Sequence, residues 1–143
     1  MIQITKRVDF SASHRLYNPE WDFDKNEEVF DKCNNPNGHG HNYILEVTIK
    51  GNPDPETGYV YDLKKLKLLL KEKVVSRLDH KHLNKDVDFL QGVIPTVENI
   101  AVLIWRILEP EITNGELYKI KLNETPDSWV EYYGEDIEIN RFG

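Results

Sequence analysis

Residues 38–50 have the sequence GHGHNYILEVTIK, in which apolar and polar side chains alternate after the second histidine. A period of two places alternate side chains on opposite faces of a β-strand. The apolar face is formed by Tyr43, Leu45, Val47 and Ile49. His39 and His41 continue that series toward the start of the strand, and glycines flank them. Both imidazoles are therefore predicted to project from one face, where a single metal ion could reach them.

The segment from Ile2 to His14 shows the same alternation, with apolar residues at the even positions except Lys6. His14 falls in phase with this buried face. If the two strands are neighbours, His14 lies opposite His39 and His41. Three neutral imidazoles suit zinc and leave a fourth position open for water or substrate, as catalytic zinc requires. The sequence therefore predicts a catalytic Zn²⁺ held by these three residues.

The residues alone also allow two other interpretations of the histidines. They could be ordinary, partly buried side chains without a metal. Alternatively, Cys33 could supply a fourth ligand, so that a closed zinc site only holds the loop together.

The remaining elements are predicted from hydrophobic period and from turn and capping residues. Residues 17–38 are expected to be irregular, and the turn at residues 51–58 is expected to lead into a hairpin at 59–61. The later elements are a helix at 63–79, a helix after the N-cap Thr96, a strand at 118–122 and a strand at 129–133. This order indicates an α+β fold, with an antiparallel four-stranded sheet covered on one face by two helices.

The length, net charge and cysteine content limit the number of domains, the partners and the disulfides that this protein could have. A length of 143 residues fits one domain, residues 1–143. The net charge of −7 disfavours nucleic acid and anionic membranes as partners. There is no long apolar run or basic leader segment, so we expect a cytoplasmic protein. Cys33 is the single cysteine, which excludes an intrachain disulfide.

Five motifs occur in a fixed order along the chain. They are FSASHRL at 10–16, KCNNPNGHGHNY at 32–43, LDHKHL at 78–83, PTVENIA at 95–101 and LNET at 122–125. Together they closely resemble the 6-pyruvoyl-tetrahydropterin synthase family. The resemblance implies the tunnelling fold, in which subunits join their sheets into a barrel, trimers stack as a hexamer, and active sites lie between subunits.

The resemblance also implies a zinc-dependent lyase. Its substrate would be 7,8-dihydroneopterin triphosphate, and its products 6-pyruvoyl-tetrahydropterin and triphosphate. The implied zinc ligands are again His14, His39 and His41. The implied catalytic residues are Cys33 as general base and the acid-relay pair Asp79 and His80, and the implied pterin-binding residues are Glu124, Thr96 and Glu98.

Physical chemistry supports several of these roles. A dication near the Cys33 thiol would favour the thiolate, and a carboxylate beside an imidazole fixes its tautomer, as expected for Asp79 and His80. Glu124 continues the inward face of its strand, where a carboxylate needs a donor such as a pterin amino group.

Each assignment also has an ordinary structural interpretation. Cys33 could be a small buried side chain, Asp79 and His80 could simply end a helix, and Glu124 could face water. Thr96 and Glu98 are residues that any helix prefers in its first turn. His82 is expected at the surface, and the segment Ile137–Phe142 has no assigned role.

Two competing functions follow from the same residues. The 6-carboxy-tetrahydropterin synthase branch makes a queuosine precursor from the same triphosphate and releases acetaldehyde. In that branch the cysteine typically lies closer to the first histidine than Cys33 lies to His39, which favours the pyruvoyl branch. A non-catalytic pterin- or metal-binding module, with Cys33 closing the zinc site, is the other alternative.

Overall fold

The computed structural model describes residues 1–143, which form a five-stranded mixed sheet with the strand order β3-β1-β2-β4-β5. The strands are β1 (Ile2–His14), β2 (His39–Gly51), β3 (Lys81–His82), β4 (Glu116–Thr125) and β5 (Ser128–Tyr132). The two long strands β1 and β2 pair antiparallel along their whole length, from Ile2 opposite Gly51 to His14 opposite His39. The predicted juxtaposition of the histidine-bearing strand ends is therefore confirmed.

The helices are α1 (Phe23–Phe30), α2 (Leu63–Leu70), α3 (Ser76–Leu78) and α4 (Val97–Leu108). A π-helical segment, Lys71–Val75, joins α2 to α3, so the predicted helix at 63–79 is continuous but locally widened. Asp62 caps α2 and Thr96 caps α4, each through a side-chain oxygen that accepts a backbone N–H.

The core lies between the sheet and the helices. Helix α4 packs against β4 and β5, whereas α2 and the π-helical segment pack against β1. A single cluster of 26 buried apolar residues fills this space. None of the helices has the length and apolarity needed to cross a membrane. These features confirm the predicted α+β class.

Three predictions about local structure were wrong. The sheet has a fifth strand, because the two residues of β3 pair in parallel with Ala12 and Ser13 of β1. A strand this short has no hydrophobic period to detect. Residues 17–38 are not irregular throughout, since Asp22 caps α1 and accepts from the Lys25 N–H at 2.8 Å. Residues 59–61 form no strand, so the expected hairpin is absent.

Candidate active site and metal centre

Three imidazoles meet at one end of the β1–β2 ladder. The ring nitrogens Nε2 of His14 and Nε2 of His39 lie 3.1 Å apart. His41 completes the cluster, and one ring nitrogen from each of the three lies within 4.8 Å of the others. The register explains the arrangement, because His14 pairs with His39 and Ala12 pairs with His41. The fold thus brings together the three residues predicted as ligands.

His14 is fully buried and is oriented by the backbone of a distant loop. Its Nδ1 lies 2.8 Å from the carbonyl oxygen of Pro95, so Nδ1–H is the donor and Nε2 keeps its lone pair. The pKa of His14 is lowered from 6.5 to about 4, mainly by burial; the Pro95 carbonyl opposes this effect, and the neighbouring His39 and His41 add to it. At neutral pH His14 is therefore an uncharged imidazole, the form that binds metals.

The donor set fits a tetrahedral dication. Ligand nitrogens about 2.0–2.1 Å from a tetrahedral ion lie about 3.3 Å apart, close to the separation of the His14 and His39 nitrogens. His39 Nδ1 and His41 Nε2 are buried and have no hydrogen-bond partner. Buried polar atoms without partners are costly, and binding an ion or a ligand would satisfy the nitrogens that face it. The cluster does not include Cys33.

Glu124 lies beside the histidine cluster, at the end of the inward face on which its strand pattern placed it. Its carboxylate oxygens are 3.8 Å from His14 Nε2 and 3.9 Å from His41 Nε2. The ladder between β4 and β5 is irregular between Asn123 and Thr125, so Glu124 occupies a bulge. Bulges redirect side chains and are common next to active sites. The side chain is 25% exposed, so the carboxylate is open to a ligand.

Cys33 lies in a short 3₁₀ helix, Asp31–Asn34, and is half-buried. It lines a cavity of about 790 Å³ together with His39 and His41. The thiol and two of the candidate ligands therefore face one space. Burial, followed by the negative charge of Glu124, raises the pKa of the Cys33 thiol.

A polar network that was not predicted from the sequence holds the segment of Cys33 beside the histidine cluster. The Cys33 carbonyl accepts from the Leu16 N–H at 2.7 Å. The guanidinium of Arg15 donates to Asn34 at both the backbone and the side-chain oxygen, at 3.0 and 3.1 Å. Asn34 is fully buried and in turn donates to Glu27 at 2.9 Å. The one feature of the sequence that could have indicated this network is that Arg15 directly follows His14 and Asn34 directly follows Cys33.

Asp79 and His80 form a pair, and His80 lines a cavity other than the one that Cys33 lines. The Asp79 carboxylate accepts from the Ser11 N–H at 2.9 Å and lies 2.9 Å from His80 Nδ1. The Ser11 hydrogen bond, followed by the one with His80, lowers the pKa of Asp79. His80 has a positive φ of 60° and an 82% exposed side chain. Such a backbone conformation is uncommon outside glycine and is frequent at functional sites.

His80 and the Cys33 thiol do not line the same cavity of this chain. His80 lines a cavity of about 560 Å³ together with His41 and His82, whereas Cys33 lines the cavity of about 790 Å³ that His41 also lines. His82, expected at the surface, is half-buried, and its Nε2 has no hydrogen-bond partner.

Thr96 and Glu98 occupy the positions that helix chemistry favours. The Thr96 hydroxyl accepts from the Asn99 N–H at 3.2 Å, and Glu98 is exposed in the first turn of α4. Neither residue lines the two cavities described above. Their predicted contact with the pterin therefore stays a prediction.

Comparisons with known proteins show to which family the chain is similar. Residues 3–135 match the family described as 6-pyruvoyl tetrahydropterin synthase. The human 6-pyruvoyl tetrahydrobiopterin synthase is 47% identical over 133 residues, which cover 93% of this chain and 92% of the human protein. The solved structure of Caenorhabditis elegans 6-pyruvoyl tetrahydropterin synthase superposes with a TM-score of 0.88 at 40% identity, over 94% of this chain and 96% of that one.

A second group of relatives is more distant. The 6-carboxy-5,6,7,8-tetrahydropterin synthase of Rickettsia typhi is 30% identical over 149 residues, which cover 92% of this chain and 99% of the relative. The higher identity to the pyruvoyl enzymes agrees with the order and spacing of the motifs. The chain belongs to the 6-pyruvoyl tetrahydropterin synthase family.

Proposed function

We propose that this chain is a lyase that converts 7,8-dihydroneopterin triphosphate into 6-pyruvoyl-tetrahydropterin with elimination of triphosphate. The observation that carries the proposal is the cluster of His14, His39 and His41, two of which share a cavity with Cys33. The reaction needs no external oxidant, because the pterin ring gains the electrons that the side-chain carbon loses. A metal ion next to a base would promote removal of the side-chain proton, and a proton donor is needed to complete the internal transfer.

Zn²⁺ is the proposed metal, held by the three imidazoles. When bound, it would act as a Lewis acid on the oxygens of the pterin side chain, which makes the adjacent C–H more acidic. His14 contributes through Nε2, because its Nδ1–H is bound to the Pro95 carbonyl. This outer hydrogen bond fixes the tautomer and the orientation of the ring.

Cys33 is proposed as the base that removes the proton. Burial and the nearby Glu124 carboxylate raise the pKa of its thiol, so the residues around it do not favour the thiolate by themselves. A positive charge in the same cavity opposes both effects and makes a thiolate available at neutral pH. The position of Cys33 outside the histidine cluster supports a proton-transfer role over a fourth-ligand role.

Asp79 and His80 are proposed to return a proton to the opposite side of the substrate. His80 and Cys33 line different cavities of one chain, which supports the arrangement implied by the family resemblance, with active sites completed between subunits. We propose accordingly that subunits join their sheets into a barrel and assemble as a trimer or a hexamer of stacked trimers. Asp79 would hold the tautomer of His80 through its hydrogen bond to Nδ1.

Glu124 is proposed to bind the pterin ring. Its carboxylate faces the histidine cluster and is partly exposed, and the ring presents two parallel N–H donors that match a bidentate carboxylate. Thr96 and Glu98 are proposed to lie near the same ring. The Thr96 hydroxyl already accepts one backbone N–H and can still donate to a ligand.

Product identification tests the proposed reaction. We expect the zinc-loaded protein to convert 7,8-dihydroneopterin triphosphate into free triphosphate and a pterin that keeps its three-carbon side chain as a diketone, both detected by mass spectrometry. A 6-carboxy pterin with acetaldehyde would instead assign the chain to the queuosine-precursor branch. Binding of the pterin without turnover would support a binding module.

Glu124→Gln tests the pterin contact. The substitution keeps the size of the side chain but removes its charge and one acceptor position. We expect pterin binding to weaken by about tenfold or more, since hydrogen bonds to charged groups contribute about 1.5–3 kcal/mol. Calorimetric titration with a reduced pterin measures the change.

The zinc content of the same variant serves as its internal control. The Glu124 oxygens lie 3.8 and 3.9 Å from ring nitrogens of His14 and His41, so zinc should remain bound when the charge is removed. Unchanged pterin affinity would exclude the contact. Zinc lost together with the carboxylate would identify Glu124 as a fourth ligand.

A further inference from the structure

The family match ends at residue 135, and the segment that follows, residues 136–143, is nevertheless bound to the rest of the fold. We call these residues the C-terminal segment. Its contacts are a hydrogen bond from Arg106 to the Ile137 carbonyl, bonds from Arg141 to the Phe89 and Gln91 carbonyls at 3.0 Å each, and a bond from the Phe142 N–H to the Gly92 carbonyl at 2.7 Å. Ile139 packs against the core.

Arg141 and Phe142 bind one loop, and that loop is shaped to receive them. The two guanidinium nitrogens of Arg141 bind carbonyls two residues apart, which is the fork geometry that a lysine cannot reproduce. Gly92 has a φ of 77°, and a Cβ at this position would collide with the Phe142 carbonyl oxygen. The close backbone approach therefore requires glycine at this point.

The same loop ends at the residue that orients His14. Three residues beyond Gly92, the buried Pro95 places its carbonyl 2.8 Å from His14 Nδ1. On the α4 side the loop is fixed at Ile94, whose carbonyl accepts from Asn99 at 2.9 Å and from the Thr96 N–H at 2.8 Å. On the other side, the described hydrogen bonds to the carbonyls of Phe89 and Gly92 come from the C-terminal segment.

We propose that Arg141 is a positioning residue for the metal centre. It holds the loop from Phe89 to Pro95 so that the Pro95 carbonyl accepts the Nδ1 proton of His14 and directs Nε2 toward the metal. The inference rests on the proposed zinc site for its functional consequence. The structural part of the proposal does not depend on a bound metal. It states only that Arg141 orients the His14 ring through Pro95.

A pair of arginine variants tests the proposal. Arg141→Ala removes the guanidinium that holds the loop, whereas Arg106→Ala removes an equally exposed guanidinium that ties the C-terminal segment to α4. We expect Arg141→Ala to weaken zinc affinity by about tenfold, the lower end of the range for losing an outer partner of a metal-bound histidine. Arg106→Ala should stay within about twofold of wild type, and Arg141→Lys should lie between wild type and Arg141→Ala. Zinc affinity is measured by competition with a chromogenic chelator.

A second measurement uses the full-length protein without metal. The Nδ1–H of His14 is buried and hydrogen-bonded, so it should give an NMR signal that exchanges slowly with water. Arg141→Ala should speed that exchange by about tenfold, because a less ordered loop exposes the N–H to water more often. Arg106→Ala should leave the exchange rate unchanged. Equal effects of the two variants, or no effect of Arg141→Ala on either measurement, would overturn the proposal. If wild type binds no zinc, the proposed metal centre fails, and the exchange measurement still decides the role of Arg141.

Discussion

Replacing Cys33 with alanine is expected to lower kcat by about 100- to 10,000-fold, the usual contribution of a positioned general base. Zinc should remain bound in the variant, because the cluster of potential ligand atoms consists of His14, His39 and His41. Substrate affinity should also change little, since the thiol acts on the proton that leaves during the reaction. Single-turnover kinetics and zinc content, measured on the same preparation, give both results.

A serine at position 33 tests whether turnover needs the acidity of the thiol or only a small polar side chain. Cys33→Ser keeps a small polar side chain on the 3₁₀ helix that the Leu16 and Asn34 hydrogen bonds hold in place. We expect it to be nearly as inactive as Cys33→Ala, because an alcohol is far less acidic than a thiol. Loss of zinc in step with loss of the thiol would contradict the base assignment. That outcome would instead support a closed site in which Cys33 is a ligand.

The cluster of three histidines was predictable because two simple periods determine it. Alternation in β1 places His14 on the buried face, and alternation in β2 places His39 and His41 on the same face of its partner. Side chains that alternate with period two can meet across a ladder in only a few registers. The observed register, with His14 opposite His39, is one of those that keep the two buried faces together.

Contacts that depend on irregular backbone were not predictable in the same way. The alternation in β4 predicts that Glu124 faces inward, but it gives no signal of the irregular pairing with β5 or of the distances of 3.8 and 3.9 Å to His14 and His41. The Pro95 carbonyl reaches His14 across 81 positions of sequence through a loop. The pattern around Pro95 predicts a helix start, and it says nothing about which side chain its carbonyl meets.

The sequence also does not predict whether Cys33 and the Asp79–His80 pair lie close together. Motif order gives the chemistry of each residue but not whether two motifs line one cavity. In this chain the left-handed turn at His80 directs its ring to solvent, while Cys33 faces the cavity of His39. The residue pattern of one chain therefore does not give the distance between the two proposed proton-transfer groups.

Replacing His39 with alanine is expected to weaken zinc binding by more than about 100-fold, since losing merely an outer partner of a metal-bound histidine already costs about 10–100-fold. His39 is the suitable ligand to remove, because His14 is fully buried and its loss would also leave a cavity. Turnover should fall together with zinc content. A second readout is thermal stability, because a ligand at 100 times its Kd stabilises the folded state by about 2.7 kcal/mol. Wild type should gain this stabilisation from added zinc, and His39→Ala should lose most of it.

His82→Ala provides the matched control for this experiment. Its imidazole is half-buried at the same end of the sheet and also has a nitrogen without a partner, but it is not a member of the histidine cluster. Its removal should therefore leave zinc affinity and the zinc-dependent rise in Tm close to wild type. If His82→Ala lost zinc as severely as His39→Ala, the ion would have to lie between His41 and the cavity of His80. The ligand set would then have to be reassigned, and with it the direction from which Cys33 approaches the substrate.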